Sequence, residues 1–327
     1  MALQKGRQQY LALASEDTRM TAETTGFTFL PWTSITAPGN QNDYLMDESA
    51  YGNRGKLLNK VLRKQHATFG CGGHIDADTI LLPLYSIFGT AVATTALGAT
   101  TWAISLNQNI ESKTFTVQYQ ANQEGHKKIT GWMASKLDFE FGTDSSTYTL
   151  EGIGLAESDG ATLTPSVPKP DKYLLGRHVG VSYAATLAGL PGTAITDIKT
   201  VTGGFDPGLD IARNEVVGAL NPTNISHDGF TSTFEFTRIN NDAQASTFQD
   251  FQDAGTKQAF RIEAVASNLP VIGTSALKPT LRFDFPPSTV TSVTEIAIDD
   301  YLMQTITIEV EQPELIAVTL INEIATA

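Results

Sequence analysis

The strongest constraint in this chain is an apolar/polar alternation with a period of two, repeated many times along its length. Phe115, Val117 and Tyr119 alternate with Thr and Gln. Leu137, Phe139 and Phe141 alternate with Lys136, Asp138 and Glu140. Phe234 and Phe236 sit among Thr233, Glu235 and Thr237, and Arg261 separates Phe260 from Ile262. Leu281, Phe283 and Phe285 repeat the pattern, as do Ile306, Ile308 and Val310. Weaker runs occur at Trp102–Leu106, Tyr148–Leu150, Val179–Tyr183, Ile296–Ile298 and Ile316–Leu320. A period of two puts alternate side chains on opposite faces of a strand. So many strands with one polar face argue for antiparallel sheet, not the doubly buried strands of a parallel fold.

Helical signals are few. One helix is expected from about Ala243 to Ala254, with Asn241 or Asp242 as N-cap, Phe248 and Phe251 on one face, and Gly255 as its stop. A second covers part of Thr79–Phe88, with Asp78 as N-cap and Gly89 as its end. Pro83 would cost about 3 kcal/mol inside a helix, so Pro83 itself is an alternative start. Arg54–His66 has helix formers but reads equally as a strand paired with Ala67–Ile75.

Glu157–Asp171 carries Asp159-Gly160 and then Pro165, Pro168 and Pro170, a turn-rich, semi-rigid composition. It is read as a linker dividing the chain into a first module, 1–156, and a second, 172–327. The two halves share an order of strand, helix and strands without sharing identities. They are read as diverged copies.

Composition limits the functional classes. Hydrophobic residues make up 41% and aromatic residues 9%, enough for a core and too many for a disordered chain. Lys plus Arg number 22 against 35 Asp plus Glu, a net charge of −13. That balance opposes tight nucleic-acid binding by the whole surface, while an acidic face can let a polyanion pass without sticking. The single cysteine, Cys71, excludes a disulfide framework and a multi-cysteine zinc site. Met1–Met20 lacks the apolar run of a signal peptide. The stretch between Asp78 and Glu111 has no charge and is long enough to cross a bilayer. Its Pro83, Gly89, Gly98 and paired threonines read instead as a short helix, a loop and a strand, so no membrane span is expected.

Motifs for chemistry are sparse. Cys71, His74, Asp76 and Asp78 form the only cluster of ligand types, but Asp76 and Asp78 suit a helix start and Gly72-Gly73 a bulge or loop. Residues three apart in an extended segment, such as Cys71 and His74, point to opposite faces. His66, His74, His126, His178 and His227 fall in no zinc-protease pattern, and no phosphate loop, dinucleotide fingerprint or nucleophile elbow occurs. Asp299-Asp300 and Asp250/Asp253 are paired carboxylates without a defined separation, and the Asn224 sequon carries no weight without a secretion signal. The reading is no enzyme, no cofactor and no metal. The basic cluster Arg54, Lys56, Lys60, Arg63 and Lys64 stands out in an acidic chain. It reads either as a docking element for an acidic neighbour, such as another copy, or as a solvated charged face. No aromatic residues interleave to stack bases.

Three runs carry a resemblance: Glu48-Ser-Ala-Tyr-Gly-Asn-Arg54, Gly70-Cys-Gly-Gly-His-Ile-Asp76, and Ile80-Leu-Leu-Pro-Leu-Tyr-Ser-Ile-Phe-Gly89. Together they resemble the tail tube (major tail) protein of long-tailed bacteriophages, and Gly131–Phe141 with Tyr148–Gly154 resembles that family's sheet-forming end. Asp228–Gly255 and Arg282–Gln312 match it more loosely. The resemblance implies a mainly β fold with short flanking helices, here two tandem β-sandwich or half-barrel modules that close into a ring-shaped β-barrel on oligomerisation. It implies stacked rings, a hollow tube for DNA that is not tightly bound, and an inter-ring arm at about 40–66 that carries the basic cluster. It shifts Lys56–His66 towards a strand. Family partners would be the tape measure, tail terminator and tail-tip proteins, in a virion tail made in the host cytoplasm. With two modules per chain, a homotrimer with pseudo-six-fold symmetry is expected, a hexamer being the alternative. The competing class is a receptor- or carbohydrate-binding β-sandwich of the phage tail, which would want exposed aromatic residues on loops.

Overall fold

The computed structural model of the protein describes residues 10–47, 59–108, 113–122, 125–163, 171–210, 219–222, 224–240, 244, 246–298 and 301–324. The fold is mainly β. In the first half, β1 (Tyr10–Ser15), β2 (Thr28–Leu30), β3 (Ser34–Asp47) and β4 (Asn59–His74) precede helix α1 (Leu81–Phe88). A hairpin of β5 (Gly89–Ala96) and β6 (Ala99–Leu106) follows, then β7 (Phe115–Asn122), β8 (Gly125–Phe141), β9 (Ser146–Gly154) and β10 (Glu157–Asp159). The second half begins with β11 (Val179–Ala184), β12 (Thr193–Ile195), β13 (Ile198–Asp206), β14 (Leu209–Asp210) and β15 (Ser226–His227). It continues with β16 (Thr231–Ile239), helix α2 (Thr247–Ala254), β17 (Gln258–Val265), β18 (Thr280–Ile298), β19 (Tyr301–Glu309) and β20 (Ala317–Asn322).

A long antiparallel sheet runs β3–β4–β9–β8–β13–β16–β19–β18. The N-terminal parts of β8 and β18 leave it to join flanking sheets. One runs β2–β1–β7–β8–β10. The other runs β12–β11–β17–β18–β20–β6–β5. Both long strands bulge as they pass between layers, β8 between Ala134 and Lys136 and β18 between Val290 and Ser292. A bulge bends a strand and sharpens its twist, which suits a strand shared by two layers.

The pairing scheme of the first half recurs in the second. β1 pairs β2 and β7, as β11 pairs β12 and β17. β8 pairs β7, β9 and β10, as β18 pairs β17, β19 and β20. β4 pairs β3 and β9, as β16 pairs β13 and β19. The two helices follow β4 and β16. The β5–β6 hairpin has no counterpart between α2 and β17, and it reaches across to pair with β20.

One contiguous core lies between the layers and draws on both halves. Phe139 and Phe141 of β8, Phe205 of β13, Phe234 and Phe236 of β16, and Phe283 and Phe285 of β18 all belong to it. The strongest alternating runs read from sequence are strands with their apolar members buried, Phe115–Tyr119, Leu137–Phe141, Phe234–Phe236, Phe260–Ile262, Leu281–Phe285 and Ile306–Ile308, whereas Ile296 of the weaker run Ile296–Ile298 is exposed.

Some expectations about the helices are corrected, while the glycine stops, and the strand reading of Lys56–His66 from Asn59 onward, are met. Helix α1 starts at Leu81, two residues before Pro83. Proline is tolerated there because the first N–H groups of a helix have no intrahelical acceptor. The residue at its N-cap is Ile80, not Asp78, and it makes no side-chain cap bond. Gly89 ends the helix at φ 75°, its N–H bonding the Tyr85 carbonyl. Helix α2 begins at Thr247, with Gly255 closing it at φ 61°, while residues 241–243, proposed as its start, lie outside the described residues. Arg54–His66 is strand from Asn59 onward.

The stretch read as a linker is anchored at its start. Glu157–Asp159 pairs with β8, and Leu163 N–H donates to Tyr10 Oη at 3.0 Å. Residues 164–170 lie outside the described residues. Lys172 then ties the second half to the first. Its N–H donates to Asp76 Oδ2 at 2.7 Å, and its Nζ contacts Asp78 at 2.6 Å and Glu323 at 2.9 Å.

Candidate assembly surfaces

Alternation gives the long sheet a second face, open to solvent. It carries Thr147, Thr149 and Glu151 on β9, Asp138 and Glu140 on β8, Thr202 and Asp206 on β13, Thr233 and Glu235 on β16, and Thr307 and Glu309 on β19. Most of these residues line a trough of about 590 Å³ that crosses the junction between the halves. Lys136 lies among the carboxylates, 2.7 Å from Asp138. That hydrogen bond raises the Lys136 pKa against the opposing effect of burial, with the charges of Asp138, Glu151 and Asp206 adding to it. The face is acidic and hydroxyl-bearing.

The junction itself is a strand pair. Val201–Phe205 of β13 lies antiparallel to Leu137–Phe141 of β8. Gly203 sits opposite Phe139, and a side chain there would collide with that ring. Gly203 thus lets the aromatic core close beneath the junction: Phe139 stacks on Phe283 at 4.9 Å and meets Phe205 at 5.7 Å. On the outer face a Cβ at Gly204 would lie 2.6 Å from Asp138 Oδ1, so glycine there keeps the trough floor clear.

The segment read as an arm is a projecting hairpin over its described part. β3 and β4 pair out to Asp47 and Asn59, beyond the last β4–β9 pair at Ala67 and Gly154. Of the basic cluster, Arg54 and Lys56 lie outside the described residues. Lys60 is on β4 opposite Met46, and Lys64 is opposite Asp43. Arg63 is already paired within the arm, donating from Nε to Asp43 Oδ2 at 3.0 Å. Both side chains of that pair are about half exposed, at 54% and 48%. The expectation that these residues form one docking cluster is therefore qualified at Arg63, whose carboxylate partner comes from its own hairpin.

The Cys71–Asp78 run is divided between faces. Cys71 is buried, and burial pushes its thiol up to about 12. His74 is exposed and meets the Tyr173 ring edge-on at 5.9 Å. Asp76 is buried, and burial raises its pKa against the backbone bonds that it accepts from Asp78 and Lys172. Asp76 thus takes the turn role that the sequence reading had shared with Asp78. Among the described residues no group of His, Cys, Asp and Glu is arranged to hold a metal ion. Among the described residues no helix is long and apolar enough to cross a membrane.

What sequence reasoning missed is the joining of strands. Asp138, Glu140 and Glu235 were visible as polar members of alternating runs, but no local signal says that β8 and β13 are neighbours. Asp206 ends a strand whose Gly203-Gly204 blurs the alternation. No protein-family profile matches this chain. No curated protein matches it either.

Proposed function

We propose that this chain is a tail tube protein of a long-tailed bacteriophage, made of two tandem modules, 1–156 and 172–327, that self-assemble into rings stacked as a hollow tube. The observation that carries the proposal is the recurring pairing scheme, with the two copies joined edge to edge by β8 and β13. A repeat that adds to its neighbour by sheet continuation forms a ring if the rotation closes. The acidic, hydroxyl-bearing trough spans that junction, as a channel wall would, and like charge keeps a passing polyanion from adhering. Each chain would supply two segments of the wall, and with the six-fold rings that the resemblance implies for single-module members the ring would be a homotrimer with pseudo-six-fold symmetry. The arm at about 40–66 would reach the adjacent ring. Tape measure, tail terminator and tail-tip proteins would be its other partners, in the virion tail, and no cofactor or catalysis is required. Against the receptor- or carbohydrate-binding alternative, Tyr173 is the only ring among the exposed large apolar residues described, whereas sugar platforms need exposed aromatics.

Negative-stain electron microscopy of the purified protein, with native mass measurement of its rings, tests the proposal. Rings or hollow tubes, with a ring mass of three times 35.2 kDa, are expected. Rings of six chains would reject the duplicated-module reading. Discrete globules at every concentration would reject the tube.

A further inference from the structure

The long sheet ends on two strands that each have a partner on one side only within it. β3 pairs β4, and beyond Thr289 β18 pairs only β19. They occupy equivalent places in the two halves: β3 matches β13, and β18 matches β8. The internal junction joins β8 to β13, so the same junction between chains would join β18 of one copy to β3 of the next.

The register follows from the bulges. Aligning the β8 bulge at Ser135 with the β18 bulge at Thr291 sets Phe141 on Ala297 and Glu140 on Ile296. Following the ladders across β9 and β4, and across β19 and β16, sets Ile35 on Val201 and Thr36 on Thr202. Inside the chain Phe141 faces Val201 and Glu140 faces Thr202. We infer that β3 of one copy pairs antiparallel with β18 of another, with Ile35 opposite Ala297 and Thr36 opposite Ile296. After the β3 irregularity between Thr36 and Gly39, Gly39 comes opposite Thr294.

This inference rests on the tandem-module reading. The occupant of each edge is a second copy because the chain already holds the equivalent junction between its own halves. Exposure agrees: Thr36 is exposed and Ile296 is 51% exposed, an apolar side chain on an otherwise polar face. Unpaired strand edges template pairing with another chain. The seam also differs from the internal junction. Within the chain β6 pairs β20 as a second bridge, and the second half has no hairpin to repeat that contact across the seam. The seam is held by the inner sheet alone, so rings come apart there.

Disulfide trapping tests the register in the full chain. Directly opposed residues of an antiparallel pair bring Cβ atoms within disulfide reach. Thr36→Cys with Ile296→Cys is the primary pair, and Gly39→Cys with Thr294→Cys is the second should the first fold poorly. The native Cys71 is buried and does not compete. Mild oxidation should give a covalent ladder ending in a closed three-chain species. Thr36→Cys with Thr289→Cys, far from register, should stay uncrosslinked. Ile296→Cys alone forming two-chain species would mean symmetric edge pairing and overturn the inference. Tubes that form while neither designed pair crosslinks would also overturn it. Crosslinked rings that never stack would leave the seam standing and reject the tube.

Discussion

Phe205 is the side chain on which the two halves of the core converge. It is fully buried on β13. Its ring lies 5.0 Å from Phe88 and 5.7 Å from Phe139, both from the first half. It also lies 5.6 Å from Phe283, 6.2 Å from Phe230 and 6.4 Å from Phe285, all from the second. Phe205→Ala removes the shared ring and leaves a cavity walled by aromatics that cannot all collapse inward. Truncations of this kind cost about 3–5 kcal/mol.

The melting shift that follows depends on whether the halves unfold together. Unfolding entropy near 60 °C is about 2.1 cal/mol/K per residue. Over 327 residues that is roughly 0.7 kcal/mol/K, so a loss of about 3–5 kcal/mol lowers Tm by roughly 4–7 °C. A half melting alone has about half that entropy, and its own transition would fall roughly twice as far while the other stayed put. Because the core is contiguous across the β8–β13 junction, scanning calorimetry should show one transition, shifted by the smaller amount. Two transitions, only one of them displaced, would refute the claim that the halves share one cooperative core.

Gly152→Ala should lower stability by about 1–3 kcal/mol in urea unfolding, because a Cβ there meets the Trp132 ring and the Met133 carbonyl. Asp76 has a raised folded pKa, so the native state binds the extra proton above the unfolded value of 3.8, and its carboxyl makes folding less favourable as pH rises through that window. Asp76→Asn loses one of two accepted N–H bonds, and its stability deficit should shrink as pH rises from about 4; a deficit that widens would contradict the burial argument. Asp43→Ala should cost at most about 1 kcal/mol by thermal melting, since the Arg63–Asp43 pair is exposed. Ring formation should be favoured by added salt, followed by light scattering, because each copy carries a net charge of −13; assembly that weakens with salt would point to a seam held by opposite charges.

The strands were legible where large apolar residues alternate with polar ones. Leu137–Phe141 and Phe234–Phe236 alternate because their polar neighbours face the trough. Tyr10–Ser15 was not legible, since its side chains are nearly all buried and both of its faces are apolar or small, which leaves no polar residue to alternate with. Ile198–Asp206 was hidden by Gly203-Gly204, which look like a turn locally and are required by Phe139 and Asp138 on a strand distant in sequence. The Glu157–Asp159 strand is too short and too polar to stand apart from the proline-rich stretch behind it. The basic cluster was visible as composition, but the pairing of Arg63 with Asp43 depends on the β3–β4 register, which only the folded hairpin sets.

The trough belongs to neither half alone. Its walls come from β9 and β8 on one side and from β16 and β19 on the other, with β13 as the floor. For the acidic face to run unbroken, both halves must alternate in the same phase where they meet. A slip of one residue at β8–β13 would turn one strand over relative to the other: with β8 in place, Phe205 would enter the trough and Asp206 would be driven into the core. The aromatic packing beneath the junction and the polar face above it therefore fix the same register from opposite sides. Desolvating unpaired carboxylates and exposing the rings would both oppose a slip. The proposed seam between copies would have less to hold it: by the bulge alignment, Ala297 stands where the internal junction has Phe141, and Glu295 where it has Phe139. A junction poor in aromatics and bounded by one sheet makes and breaks more easily than one built on stacked rings, and on the tube proposal a chain that stays separate until it assembles would gain from that difference.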